Sequence, residues 1–138
     1  MSPSLWSLCI VIVTGFCLIV SWAIGGIVHQ PDWAFALLLA ALLARRRNWP
    51  WILPCVFVHD AMLYWTPLGC LPVMAVLPYF IGKIDQRLGA GVPQRLIALG
   101  IGVTPLLWLS HDVGQWLLTA LLIVPLWFLL VRGYGRLA

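Results

Sequence analysis

The sequence contains no glutamate and a single lysine, and charged residues fill only 9% of its 138 positions. Soluble domains carry roughly a quarter. A chain so poor in charge cannot clothe a water-facing surface, and with 63% hydrophobic residues it reads as an integral membrane protein. Enzyme signatures are also missing. There is no G-x-S-x-G, H-E-x-x-H or P-loop, and no pair of carboxylates spaced for acid and base work, so no catalytic function is expected. The four cysteines, Cys9, Cys17, Cys55 and Cys70, form no C-x-x-C pair and lie inside apolar segments, where they read as small buried residues. The formal net charge of +4 does not point to nucleic acid, because the basic residues fall between apolar runs and act as topology signals.

What is present is a series of apolar runs covering residues 5–28, 33–44, 51–65, 68–82, 96–109 and 116–131. Six passes of about 20 residues would consume roughly 120 positions, which leaves one transmembrane domain over 1–138. The opening stretch lacks a basic n-region and is longer than the h-region of a signal peptide, so an uncleaved first span is expected. With the N-terminus inside, six crossings put Arg45, Arg46, Arg47, Lys83, Arg87, Arg95, Arg132 and Arg136 on the cytoplasmic side, which is every lysine and arginine. Tryptophans 22, 33, 65, 108 and 116 then collect at the outer boundary, and tryptophans 6, 49, 51 and 127 with Tyr134 at the inner one. The expected fold is an all-α polytopic membrane bundle of six short, proline-kinked helices, N-in and C-in.

The second to fifth runs are short for a roughly 30 Å hydrocarbon core at 1.5 Å per residue, so the protein thins the bilayer or the hairpin 51–82 is re-entrant. Pro50 and Pro54 suit the first turn of the third helix, whereas Pro72, Pro78, Pro105 and Pro125 fall inside apolar runs and are expected to bend their helices. The stretch "KIDQRLGAGVPQR", with two glycines and a proline, reads as the one extended loop. In the second span Ala36, Ala40 and Ala44 recur every four residues and permit close approach of another backbone, from this chain or a partner.

The candidate chemistry lies in three His/Asp groupings, "HQPD" ending at Asp32, His59 with Asp60, and His111 with Asp112, all toward the outer face. Asp60 is the one acid inside an apolar run, and a carboxylate there demands a partner. Neighbouring helical positions point about 100° apart, so His59 and Asp60 are not expected to pair with each other, and His111 and Asp112 are the candidate partners by depth and side. The structural role is a tie between helices, the functional one a proton relay or small binding site. The i,i+3 and i,i+1 spacings are not those of a metal site, and no metal or other cofactor is expected.

The stretch "QPDWAFALLLAALLARRRNW" followed by "HDAMLYWTPLG", where Asp60 precedes a Leu68–Gly69 turn, resembles the MreD family of small rod shape-determining membrane proteins. That resemblance implies a non-enzymatic scaffold of the cell inner membrane, part of the elongasome that directs peptidoglycan synthesis. It implies as partners an MreC-like single-span protein, an MreB-like actin filament, a RodA-type glycosyltransferase and a penicillin-binding transpeptidase. The family is distantly similar in architecture to the substrate-binding membrane subunits of energy-coupling-factor transporters. The alternative is therefore capture of a small solute in a pocket at the outer face.

Overall fold

The computed structural model describes residues 3–24, 30–66, 68–89, 91–110 and 112–135, which leaves His29 and His111 outside the described residues. Every regular element among them is helical. In chain order these are α1 (Pro3–Ile24), α2 (Trp33–Ala44), a 3-10 turn (Arg46–Asn48), α3 (Trp49–Tyr64), α4 (Leu71–Leu88), α5 (Val92–Ser110) and α6 (Val113–Gly135). Three stretches, Ser4–Ile24, Val92–Leu109 and Val113–Gly135, are long and apolar enough to cross a membrane.

The shortest helix organises the rest. α2 has 12 residues, "WAFALLLAALLA", apolar on every side, and a helix without a polar face has to be enclosed. Residues 34–43 are all buried. α2 packs chiefly against α6 and α1, with α3 and α5 completing the enclosure and α4 lying between α3 and α5. At 1.5 Å per residue α2 is about 18 Å long, and the residues that flank it, Asp32 and Asn48, are buried as well. Both ends therefore lie inside the protein, and their unpaired backbone groups have to be satisfied by protein.

Contacts at the C-terminal end of α2 fix the direction of the other helices. The buried Asn48 side chain donates to the Ala41 carbonyl and to the Tyr134 hydroxyl of α6, both at 3.1 Å. Tyr134 in turn lies 3.0 Å from the Ser7 hydroxyl of α1, meets the Trp6 ring edge-on, and has the Arg45 guanidinium 5.7 Å from its ring centre. Gly133 makes room for this contact, since a Cβ there would run into the Trp6 indole. The start of α1, the end of α2, the start of α3 and the end of α6 thus meet at one pole. Arg46, lying against Gly82 of α4, brings the end of α4 to the same pole.

Several sequence expectations change. The stretch read as a long loop is almost all helix: α4 runs through Leu88, and only residues 89–91 separate it from α5. Hydropathy falls at Lys83, but the charged side chains there are good helix formers and simply continue α4 beyond its apolar part. Gly89, at φ +81°, ends it. Asp85 is accordingly not in an open loop. It accepts two hydrogen bonds from Arg95, at 2.8 and 2.9 Å, which clamp α4 to α5. Pro50 does open α3, as expected, but Pro54 falls inside it because the helix begins at Trp49, and Pro72 belongs to the first turn of α4 instead of its interior. Pro78, Pro105 and Pro125 are inside their helices.

Candidate functional site

At the other pole, the N-terminal end of α2 begins with Asp32. A short side-chain oxygen before an apolar helix is a strong N-cap, and Asp32 Oδ1 accepts from the Phe35 amide at 3.2 Å. The Asp32 amide donates to the Thr119 hydroxyl of α6 at 2.9 Å, and that hydroxyl donates to the Gln115 carbonyl at 2.8 Å. Oδ2 of Asp32 sits 2.6 Å from His59 Nε2 and accepts from the Tyr64 hydroxyl at 3.2 Å. Asp32, expected in an outer loop, is 2% exposed.

His59 and Asp60, both 0% exposed, continue the chain of contacts on α3. The other ring nitrogen of His59, Nδ1, lies 3.0 Å from Asp60 Oδ1. Oδ2 of Asp60 accepts from the backbone amides of Cys70 and Leu71, at 2.8 and 3.1 Å. These are donors at the start of α4, so Asp60 does for α4 what Asp32 does for α2. The imidazole is flanked by the Phe35 and Tyr64 rings, with centroids 5.6 and 5.7 Å away. The expectation that His59 and Asp60 would not pair is thus overturned. Adjacent side chains do leave a helix in different directions, but both are drawn here to one region between the N-termini of α2 and α4.

The turn from α3 to α4 makes this possible. Trp65 ends α3 in the left-handed region, at φ 56°, a conformation that costs a residue other than glycine about 1–2 kcal/mol. It reverses the chain quickly enough for the amides of residues 70 and 71 to return to Asp60.

Physically, two carboxylates sit at two positive helix ends, each also bonded to backbone amides, with one imidazole between them. All four terms favour the arrangement: helix dipole, amide donors, cross-bridging histidine, and Tyr64 hydroxyl. An imidazolium donates to both carboxylates at once, whereas a neutral ring needs a protonated carboxyl on one side. Each of the four carboxylate oxygens already has a partner.

Among the described residues one group has metal-ligating atoms close together, His59, Asp60 and Cys70, within 4.8 Å of one another. Its donor chemistry is unfavourable. Cys70 is fully buried, and the Asp60 oxygen beside it already accepts from the Cys70 and Leu71 backbone amides. His59 Nδ1 and Asp60 are also engaged with each other. The residues are arranged for bracing.

The remaining sequence candidates are dispersed. Ala36 and Ala40 are buried in the middle of the bundle and Ala44 is partly buried, so the alanine stripe serves packing within the chain. Asp112 is not brought to His59 or Asp60. It accepts from the Gly114 and Gln115 amides, at 3.0 and 3.3 Å, and so caps α6. His111 lies outside the described residues. Sequence reasoning missed Tyr64, Thr119 and the Cys70 amide as members of the cluster, and it missed Asp32 as the cap of α2, for which a Pro-Asp directly before an apolar run was the available signal. No family model, curated protein or solved structure matches the chain.

Proposed function

We propose that the chain is a non-enzymatic scaffold of the bacterial inner membrane, similar to MreD, that supports peptidoglycan synthesis and rod shape within the cell-wall elongation machinery. One observation supports the non-enzymatic part of this reading. The buried ionisable groups, Asp32, His59 and Asp60, are spent on one another and on helix N-termini, so the interior holds a brace in place of a free acid, base or nucleophile. On the outside, Leu8, Ile12, Phe16 and Ile19 run along one exposed face of α1. Such a face suits lipid or the span of another membrane protein.

In this reading all six helices are embedded, with both chain ends on the cytoplasmic side, and α2 is a short central strut in a shell of five. The cluster of arginine, lysine and tyrosine at one pole supports that orientation. The partners are those of the elongation machinery: an MreC-like single-span protein, an MreB-like filament, a RodA-type glycosyltransferase and a penicillin-binding transpeptidase.

The test is affinity purification of the tagged protein from its native membrane in mild detergent, followed by mass spectrometry, with Asp60→Ala run in parallel. Recovery of MreC-like and wall-synthesis proteins supports the scaffold, and their loss in the variant ties the brace to assembly. Recovery of ATPase and coupling subunits instead would overturn it in favour of a solute-binding subunit.

A further inference from the structure

The basic pole holds a feature that bracing does not use. A cleft of about 380 Å³ opens between α3 and α4, lined by Arg46, Arg47, Trp49, Leu53, Pro78 and Tyr79. Its composition is graded. At the pole are two guanidinium groups, both on exposed residues, and Lys83 adds a third cation, its ammonium 5.5 Å from the Tyr79 ring centre. Along the helices the wall turns apolar, through Leu53, Ala75 and Pro78.

Three points identify the chemistry of an occupant. First, the cations lack an internal counterion: among the described residues Asp32 and Asp60 are at the other pole, Asp85 is taken by Arg95, and Asp112 caps α6. Second, Gly82 is the position on α4 where any side chain would collide with the Arg46 guanidinium, so the glycine lets that group lie against α4 beside the cleft. Third, Trp49 and Tyr79 flank the boundary between the charged and apolar parts, and both are exposed. Amphipathic aromatics take that position at a membrane interface. A soluble anion would use only the charged part, and an acyl chain alone only the rest.

We infer that the cleft between α3 and α4 binds an anionic phospholipid, with Arg46 and Arg47 on the phosphate and Leu53, Ala75 and Pro78 against the start of the acyl chains. The inference rests on the chain being embedded in a bilayer and is independent of any role in wall synthesis. Basic clefts between helices on the cytoplasmic side are suited to such headgroups.

The experiment is native mass spectrometry of the full-length protein in detergent, titrated with dioleoylphosphatidylglycerol and, separately, dioleoylphosphatidylcholine. The expected result is one preferred phosphatidylglycerol adduct. Arg46→Gln with Arg47→Gln should weaken it about thirtyfold, while Arg132→Gln, a charge removal outside the cleft, should leave it within about twofold. Ala75→Trp, which fills the apolar part and keeps every charge, should also weaken it, and this covers the case in which the double variant loses its fold. Equal binding of the two lipids would overturn the assignment. So would an adduct indifferent to both cleft variants, or one displaced by inorganic phosphate at equimolar concentration, which would reduce the site to an anion subsite.

Discussion

The two ends of α2 face the same physical problem and meet it with different materials. At its N-terminal end the amides are met by Asp32, and the resulting buried charge is shared through His59 with Asp60 and so with the start of α4. At its C-terminal end the Ala41 carbonyl is met by two neutral donors, the Asn48 side-chain amide and the Arg45 backbone amide, with Tyr134 as the link to α6 and α1. The first solution buries ionisable side chains, and the second uses a neutral amide and leaves Arg46 and Arg47 exposed. The difference lies in what each end loses when a member is removed. Losing the Asn48 donor leaves the Ala41 carbonyl its bond from the Arg45 amide, whereas losing the bridging histidine leaves two buried carboxyl groups without their shared partner.

That contrast sets an order of sensitivity. His59→Ala should be the most damaging change, because it leaves two carboxylates buried without the group that bridges them. A loss of about 3–5 kcal/mol is expected, read as the largest drop in melting temperature in detergent. Ala40→Leu comes next. It forces extra methylenes into the fully enclosed face of α2, at about 1–3 kcal/mol, and a melt unchanged from wild type would show that α2 is not enclosed as described. Asn48→Ala should cost about 1 kcal/mol, because the Ala41 carbonyl keeps the Arg45 amide and the Tyr134 hydroxyl keeps Ser7. If it proves as harmful as His59→Ala, the contrast between the two ends disappears. The smallest expected effect has the opposite sign. Trp65→Gly should stabilise by up to about 1 kcal/mol through relief of the left-handed backbone, and a clear loss would mean that the indole contributes more than its backbone costs.

Some of this was legible in the sequence. The second apolar run, closed by three arginines, was read as a helix with its small residues open to a close neighbour, and α2 is that helix, enclosed by its siblings. The need for a partner at Asp60 was equally plain from its surroundings. Which partner it takes was not, because the Cys70 and Leu71 amides reach Asp60 only where a left-handed tryptophan turns the chain, and the bridge from His59 goes to Asp32, 27 positions away. Asn48 and Tyr134 were missed for a similar reason: an asparagine after an arginine run reads as a loop residue until the end of α6 is placed beside it. The extent of α4 was misjudged because a fall in hydropathy was taken for the end of a helix, although Lys83, Gln86 and Arg87 are good helix formers that continue it.

The central claim is that the buried acids hold helices together. It is tested most directly by comparing the thermal melts of Asp60→Ala and Asp85→Ala in the same detergent. Asp60 is fully buried and caps α4, whereas Asp85 sits in a partly exposed pair with Arg95, and such pairs contribute about 0–1 kcal/mol. The account predicts a much larger fall in melting temperature for Asp60→Ala. Equal falls, or a wild-type melt for Asp60→Ala, would contradict it.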